Sequence, residues 1–417
     1  MSVASRARVV APPARLAVDL RGSLNLVATL TKYLSLATLL PAVVAVGYGE
    51  PPWPFVGAGA LFGAASVALE RATRGEQRIG SREGFFIVAV TWLAAAILGA
   101  LPYLLSGEAQ LDRPVDAFFE GMSGFTTTGA TVLTDIESLS QSLLLWRQFT
   151  QWLGGIGIIV LALAVLPRLR VGGRQLLEHE LPGPEIESLS TRIRDTARRV
   201  WILYVSLTVV LIAILAMFGW TGVDERMTTF DAVAHAFTTV PTGGFGTDAT
   251  SFAEFAPATH WLIALFMVLG GANFALLYQA LVRRHPQVFA TDEEFRVYVG
   301  LLVGAAAVIA VEIWTEGIAG GEAAIRHAVF QAVSIMTTSG FATIDFATWP
   351  TLAAMTIVGL MFVGGSAGST SGSVKVVRHL LLGRILRREL DQTVHPELIT
   401  PVRLNRRVVD ERTLRAV

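Results

Sequence analysis

Three short runs rich in threonine and glycine interrupt long apolar stretches of this chain, and they limit its folds more than any other feature. They read Gly124-Phe125-Thr126-Thr127-Thr128-Gly129-Ala130-Thr131, Val240-Pro241-Thr242-Gly243-Gly244-Phe245-Gly246-Thr247 and Met336-Thr337-Thr338-Ser339-Gly340-Phe341-Ala342-Thr343. The chain is 53% hydrophobic and 16% charged, and several apolar runs exceed the roughly 18 residues that cross a bilayer as helix. A polytopic membrane protein is expected. Backbone that is not helical at membrane depth is tolerated only where it is buried or lines a water-filled path. Three such runs point to a single pathway built by several loops.

The pattern predicts membrane helices over 24–47, 52–70, 84–105, 143–166, 197–219, 259–282, 297–316 and 350–375. Shorter semi-polar helices are expected over 114–125, 229–239 and 325–336. Each is too short to cross, and each runs into one of the Thr/Gly loops, as a half-helix followed by a re-entrant loop would. Aligned on Gly129, Gly244 and Gly340, the three stretches repeat. Asp116, Asp231 and His327 precede those glycines by the same offset, each followed by alanine. Glu120, His235 and Gln331 share a second polar position, and Thr127, Thr242 and Thr338 a third. Downstream, Gly154-Gly155, Gly270-Gly271 and Gly364-Gly365 fall in the following helix. The fold class is therefore all-α, in units of helix, half-helix, loop and helix. Residues 1–75 form a leader and an extra helix pair, 76–180, 181–290 and 291–390 three pore units, and 391–417 a cytosolic tail.

Charge sets the expected orientation. Of the 33 Lys+Arg, all but Arg113, Arg147, Arg226, Arg326, Lys32 and Lys375 fall on one side of these spans. By the positive-inside rule that side, which includes the N-terminus, is cytoplasmic, so the loops dip in from outside. The first apolar run, near Leu24, is longer than the about 7–15 residues of a cleaved signal core and is read as a retained helix. The net charge of zero gives no case for nucleic-acid binding, and the absence of cysteine excludes disulfides and thiolate metal sites. There is no nucleophile elbow, Walker loop or dinucleotide fingerprint, and His179, His260, His285, His379 and His395 show no metal spacing. No enzyme activity and no organic cofactor are expected.

The loops suit a dehydrating cation. Rings of backbone carbonyls replace the hydration oxygens of K+, and successive carbonyls share an axis only if some residues take positive φ, which glycine does without steric cost. The partial negative end of each half-helix dipole favours a cation at the loop, and Asp116 and Asp231 stand where a carboxylate caps the opposite end. The expected K+ filter comprises Thr127, Thr128, Gly129 and Ala130, then Thr242, Gly243, Gly244 and Phe245, then Thr338, Ser339, Gly340 and Phe341, with K+ at their backbone carbonyls. The alternative is three tight loops packed in the bundle with no pore.

Between Gly364 and Gly372 nearly every residue is Gly, Ser, Ala or Thr. Glycine costs about 1 kcal/mol relative to alanine in a helix interior, so this helix is expected to unwind on the cytoplasmic side of the filter. A gate is read over Gly364, Gly365, Ser366, Gly368, Ser369, Gly372 and Lys375, against a close helix contact between small residues, the reading preferred for the other two Gly-Gly pairs. Lys375 either repels ions while the gate is shut or snorkels to the surface. Lys32 is read as a snorkeller. Glu120, His235 and Gln331 brace the filter from behind, with titration of Glu120 or His235 as the alternative. Asn273 is expected mid-helix as an interhelical hydrogen-bonding residue. The basic stretches Arg168–Arg199 and Arg378–Arg415 are docking faces or simply an orienting charge excess. Arg384, Arg387 and Arg388 are expected near lipid phosphates, on a helix 376–390 along the membrane surface.

The three loops, the half-helix from Asp116, the Gly-Gly-Ala-Asn-Phe run from Gly270 and the stretch from Gly364 to Lys375 together resemble the Trk/Ktr/HKT superfamily of K+ transporters, most closely the TrkH type. The resemblance covers almost the whole chain. It implies K+ uptake through a pore of pseudo-fourfold symmetry, gated by an intramembrane loop, in a homodimer that docks a cytosolic ring of nucleotide-binding TrkA-type subunits. The family's filter glycines map onto Gly129, Gly244 and Gly340. Relatives with serine at the first position lean towards Na+, so Gly129 favours K+. The family has four such units and this sequence contains three. Either the gene product or gene model is truncated, or another chain completes the pore, and a non-conducting membrane subunit is the alternative function.

Overall fold

The structure, a computed structural model, describes residues 18–75, 80–165, 186–398 and 400–414. The leader before Val18, the expected unit boundaries near 76 and 180 and most of the Arg168–Arg199 face lie outside them. Among the described residues the regular elements are helices, apart from a two-stranded hairpin, Arg403–Leu404 with Arg407–Val408. Helices Leu20–Tyr48, Trp53–Ala72, Arg82–Ser106, Ala197–Trp220 and Glu293–Thr315 are long and apolar enough to cross a membrane. Helix Gln141–Val165 carries Arg147, Gln148 and Gln151 fully buried, so its polar groups are spent inside the protein rather than on lipid. Three short helices stand between these long ones: Pro114–Phe125, Thr229–Thr239 and Gly321–Met336.

One expected span is corrected, and a second is unwound over the stretch where its glycines predict it. The single helix over 259–282 is two pieces, Pro257–Gly271 and Phe274–Val282, bent by 108°. Asn273 explains the break. Its side-chain oxygen accepts from the backbone N–H of Ala275 (2.8 Å) and Leu276 (3.2 Å), which starts a new helix. It is a cap, not the interhelical residue its position predicted. The span over 350–375 is helical only from Thr351 to Met361, and helix resumes at Val376. Between them the glycines leave an irregular loop.

Burial falls in two bodies of apolar contact. One joins the N-terminal helices to the first short helix through Ala42, Phe55, Tyr103, Ala117, Phe125 and Trp146. The other holds the second and third short helices and the spans around them, with Tyr204, Phe252, Met267, Tyr298, Phe330 and Phe341. The first short helix lies almost backbone to backbone on helix Ser81–Ser106. A Cβ on Gly121 would stand 2.7 Å from the Ala96 carbonyl oxygen, so only glycine fits.

Charged side chains near the ends of the bundle pair with one another. Lys32 bonds Glu70 at 2.7 Å instead of standing free as a snorkeller. Arg384 meets Glu293 at 2.7 Å and Arg388 meets Glu411 at 2.5 Å. Two of the three arginines expected at lipid phosphates are therefore engaged by carboxylates of this chain. Such exposed pairs contribute little stability, roughly 0–1 kcal/mol, but Arg384–Glu293 ties helix Val376–Val394 to the start of helix Glu293–Thr315, and Arg388–Glu411 ties it to the C-terminal segment.

Candidate functional site: three loops and the turn beneath them

Each short helix ends in the same way. The amide of Thr127 bonds the carbonyl of Gly124 (3.0 Å) and that of Thr128 bonds Ser123 (2.9 Å). In the second unit Thr242 bonds Thr239 (3.0 Å) and Gly243 bonds Thr238 (2.8 Å); in the third Thr338 bonds Ile335 (3.0 Å) and Ser339 bonds Ser334 (2.9 Å). This pairing closes a helix C-terminus with a left-handed residue, usually glycine. Here the residue is threonine three times, at φ 54°, 54° and 59°. A β-branched side chain at positive φ is a conformational outlier, costing of order 1–3 kcal/mol where it persists. Two residues on, Gly129, Gly244 and Gly340 take φ 76°, 88° and 80°. The three loops thus share one alternating backbone.

They also touch in sequence order. A Cβ on Gly129 would stand 2.2 Å from the Gly243 carbonyl oxygen, and one on Gly244 would stand 1.8 Å from that of Ser339. Beside Gly340 nothing lies within 4 Å, and in the first loop Thr126, Thr128 and Ala130 are exposed. The sector between the third loop and the first is open among the described residues. Contact across Gly129 carries a prediction. In Gly129→Ser the side chain must push against Gly243, and the Rb+/Na+ uptake ratio is expected to fall; an unchanged ratio in protein that reaches the membrane contradicts this.

The polar positions behind the loops hold them to their own helices. Glu120 accepts the Thr131 hydroxyl at 2.9 Å and the Val132 amide at 3.3 Å. The Thr247 hydroxyl donates to Asp231 (2.7 Å) and lies 3.3 Å from His235 Nε2. His327 Nδ1 meets the Thr343 hydroxyl at 2.7 Å. The threonine that follows the loop is therefore tied back in all three units, from one or the other of the two repeated polar positions. Gln331 is fully buried and its amide has no partner. Asp231 also forms a capping box with Thr228, its amide accepted by the Thr228 hydroxyl oxygen at 3.1 Å.

Three residues of the first unit that the sequence reading missed clamp the second loop. Arg147 Nε bonds Glu120 at 2.5 Å and its Nη1 donates to the Gly246 carbonyl at 3.0 Å, while its guanidinium lies 3.7 Å from the centre of the Phe245 ring. Gln148 donates to the same carbonyl at 3.1 Å. Gln151 donates to the Gly243 carbonyl (2.8 Å) and accepts the Phe245 amide (3.1 Å), so one side-chain amide holds the backbone on both sides of Gly244. Three polar residues within one apolar span were the available signal, since buried polar groups need partners.

The stretch after Met361 runs directly beneath the loops. Ser366 N–H donates to the Gly271 carbonyl (2.9 Å), Thr370 hydroxyl to the Gly270 carbonyl (3.0 Å) and Phe274 N–H to the Gly368 carbonyl (3.2 Å). The bend at Gly271–Asn273 thus exposes backbone groups that this stretch satisfies. It reaches the expected filter as well: Gly372 N–H donates to the Thr338 hydroxyl oxygen at 2.7 Å, and the Thr370 hydroxyl to the Val240 carbonyl at 3.2 Å. Ala367 N–H donates to Glu294 at 2.6 Å. Lys375 folds back onto the Ser371 carbonyl. Gly364, Gly365, Ser366, Ser369 and Gly372 all belong to this one ordered turn.

Comparison with known proteins agrees with this architecture. The family model described as TrkH, cation transport protein, matches residues 55–417. The Trk system potassium uptake protein TrkH of Salmonella typhimurium is 38% identical over 95% of this chain and 82% of its own length. The Trk system potassium uptake protein TrkG of Escherichia coli is 34% identical over 92% and 78%. The crystal structure of the potassium transporter TrkH from Vibrio parahaemolyticus matches with a TM-score of 0.84 at 33% identity, over 96% of this chain and 82% of that one. With the repeated loops, the broken helix and these relatives in agreement, the chain belongs to the TrkH family of multi-pass membrane cation transport proteins, which are not enzymes.

Proposed function

We propose that this protein takes up K+ across the cytoplasmic membrane through a filter to which Thr127–Ala130, Thr242–Phe245 and Thr338–Phe341 each contribute one face. The observation that carries the reading is the thrice-repeated backbone, a left-handed threonine followed two residues later by a left-handed glycine. A packing loop would not hold a β-branched residue in that conformation at three equivalent places. Main-chain oxygens there replace water around a dehydrating monovalent cation. The relatives' names, potassium uptake protein and potassium transporter, supply the ion.

The turn from Gly364 to Lys375 is the gate. It lies across the path beneath the second and third loops, and its bonds to Gly270, Gly271 and Glu294 hold it shut. Deleting Gly368–Ser371 is expected to raise Rb+ flux; loss of all flux in a membrane-inserted protein contradicts this. The arginine-rich side, with the N-terminus, faces the cytoplasm. The protein forms a homodimer and receives a TrkA-type nucleotide-binding partner on its cytoplasmic side, at the basic stretch Arg378–Arg415. The three modules are 76–180, 181–290 and 291–390.

The open sector beside Gly340 favours one second reading, a subunit that conducts only when a further loop closes that side. Rb+ uptake in cells lacking their own K+ importers tests both. Uptake above the empty-vector level supports the filter as it stands; none, from protein present in the membrane, supports the subunit.

A further inference from the structure

The left-handed threonines do more than shape the helix ends. Glycine would take the same backbone without strain, so something must use the side chain. In the third unit the Thr338 hydroxyl oxygen accepts Gly372 N–H at 2.7 Å. In the second, the Thr242 hydroxyl lies 3.3 Å from that of Thr370, whose own hydroxyl contacts the Val240 and Gly270 carbonyls. Both partners belong to the turn beneath the filter. Glycine at either position would keep the loop and lose the link.

We infer that Thr338, with Thr242 in support, is a positioning residue that ties the closed gate to the filter. The strained backbone aims the hydroxyl below its own loop, at the main chain of the turn. When the turn moves, Gly372 N–H must leave Thr338, and that lost bond is part of what keeps the closed state populated. The link also lets the gate bear on a filter residue. This rests on the proposed filter and gate.

The test is basal Rb+ and Na+ flux into proteoliposomes containing the full chain, with the amount inserted measured. Thr338→Val removes the acceptor at constant shape, and basal Rb+ flux is expected to rise about fivefold, the shift in an equilibrium when one ordinary hydrogen bond is lost. Thr338→Ser keeps the hydroxyl, and its basal Rb+ flux is expected to rise less than that of Thr338→Val. Thr338→Gly keeps the backbone and is expected to resemble Thr338→Val. A residue that only supported the fold would lower flux in all three, and that result overturns the inference. So does unchanged flux in Thr338→Val. The Gly368–Ser371 deletion separates the two levels of the argument. If it raises flux while Thr338→Val does not, the gate stands and the link falls; if the deletion fails too, the gate falls with it.

Discussion

Gly244→Ala is expected to abolish Rb+ uptake while Gly340→Ala keeps most of it. Both glycines take positive φ, 88° and 80°, so both substitutions carry the roughly 1–2 kcal/mol that a Cβ costs in the left-handed region. They differ in what the Cβ meets. At Gly244 it would stand 1.8 Å from the Ser339 carbonyl oxygen and 3.0 Å from its carbon, both main-chain atoms. Neither can rotate away, so the second and third loops must separate, at an overpacking cost typically of about 1–3 kcal/mol. At Gly340 nothing lies within 4 Å, and only the conformational cost remains. Uptake should be normalised to protein in the membrane. Equal retention by the two variants contradicts the idea that loop-to-loop contact shapes the path.

Arg147→Met is expected to be the most destabilising single substitution behind the three loops. Arg147 is 1% exposed and its partner Glu120 fully buried, at 2.5 Å. Removing one partner of a buried pair costs about 3–5 kcal/mol because the other charge is left unpaired. Two acceptors depend on this arginine, Glu120 and the Gly246 carbonyl, although Gln148 still serves the latter. The double variant Glu120→Gln/Arg147→Met removes the stranded charge and is expected to recover much of the loss. Thermal unfolding of the purified protein in detergent reads this directly. A double variant no more stable than Arg147→Met would show that the pair is not what holds the second loop to the first unit.

Much of this arrangement was legible before any coordinates. The three short helices, their loops and the positions of Gly129, Gly244 and Gly340 follow from a repeat whose offsets a chance similarity would not preserve. The unwinding after Met361 follows from the known cost of glycine in a helix. Other features have no local trace. Gly154-Gly155 and Gly270-Gly271 look alike, yet helix continues through the first and breaks after the second, because Asn273 is placed to cap a new helix. The pairing of Glu120 with Arg147 joins two helices and has no sequence period. The left-handed threonines were least visible of all, since β-branched residues are the last expected at positive φ. Glycine beside them drew attention, and the threonine carried the strain.

The most direct measurement is to locate Tl+, a heavy K+ analogue, by anomalous scattering in crystals of the protein. The account predicts a peak bounded by the backbone around Gly129, Gly244 and Gly340, above Gly372. No peak there, with Tl+ bound elsewhere in the membrane region or with the neighbouring carbonyls facing apart, would contradict it.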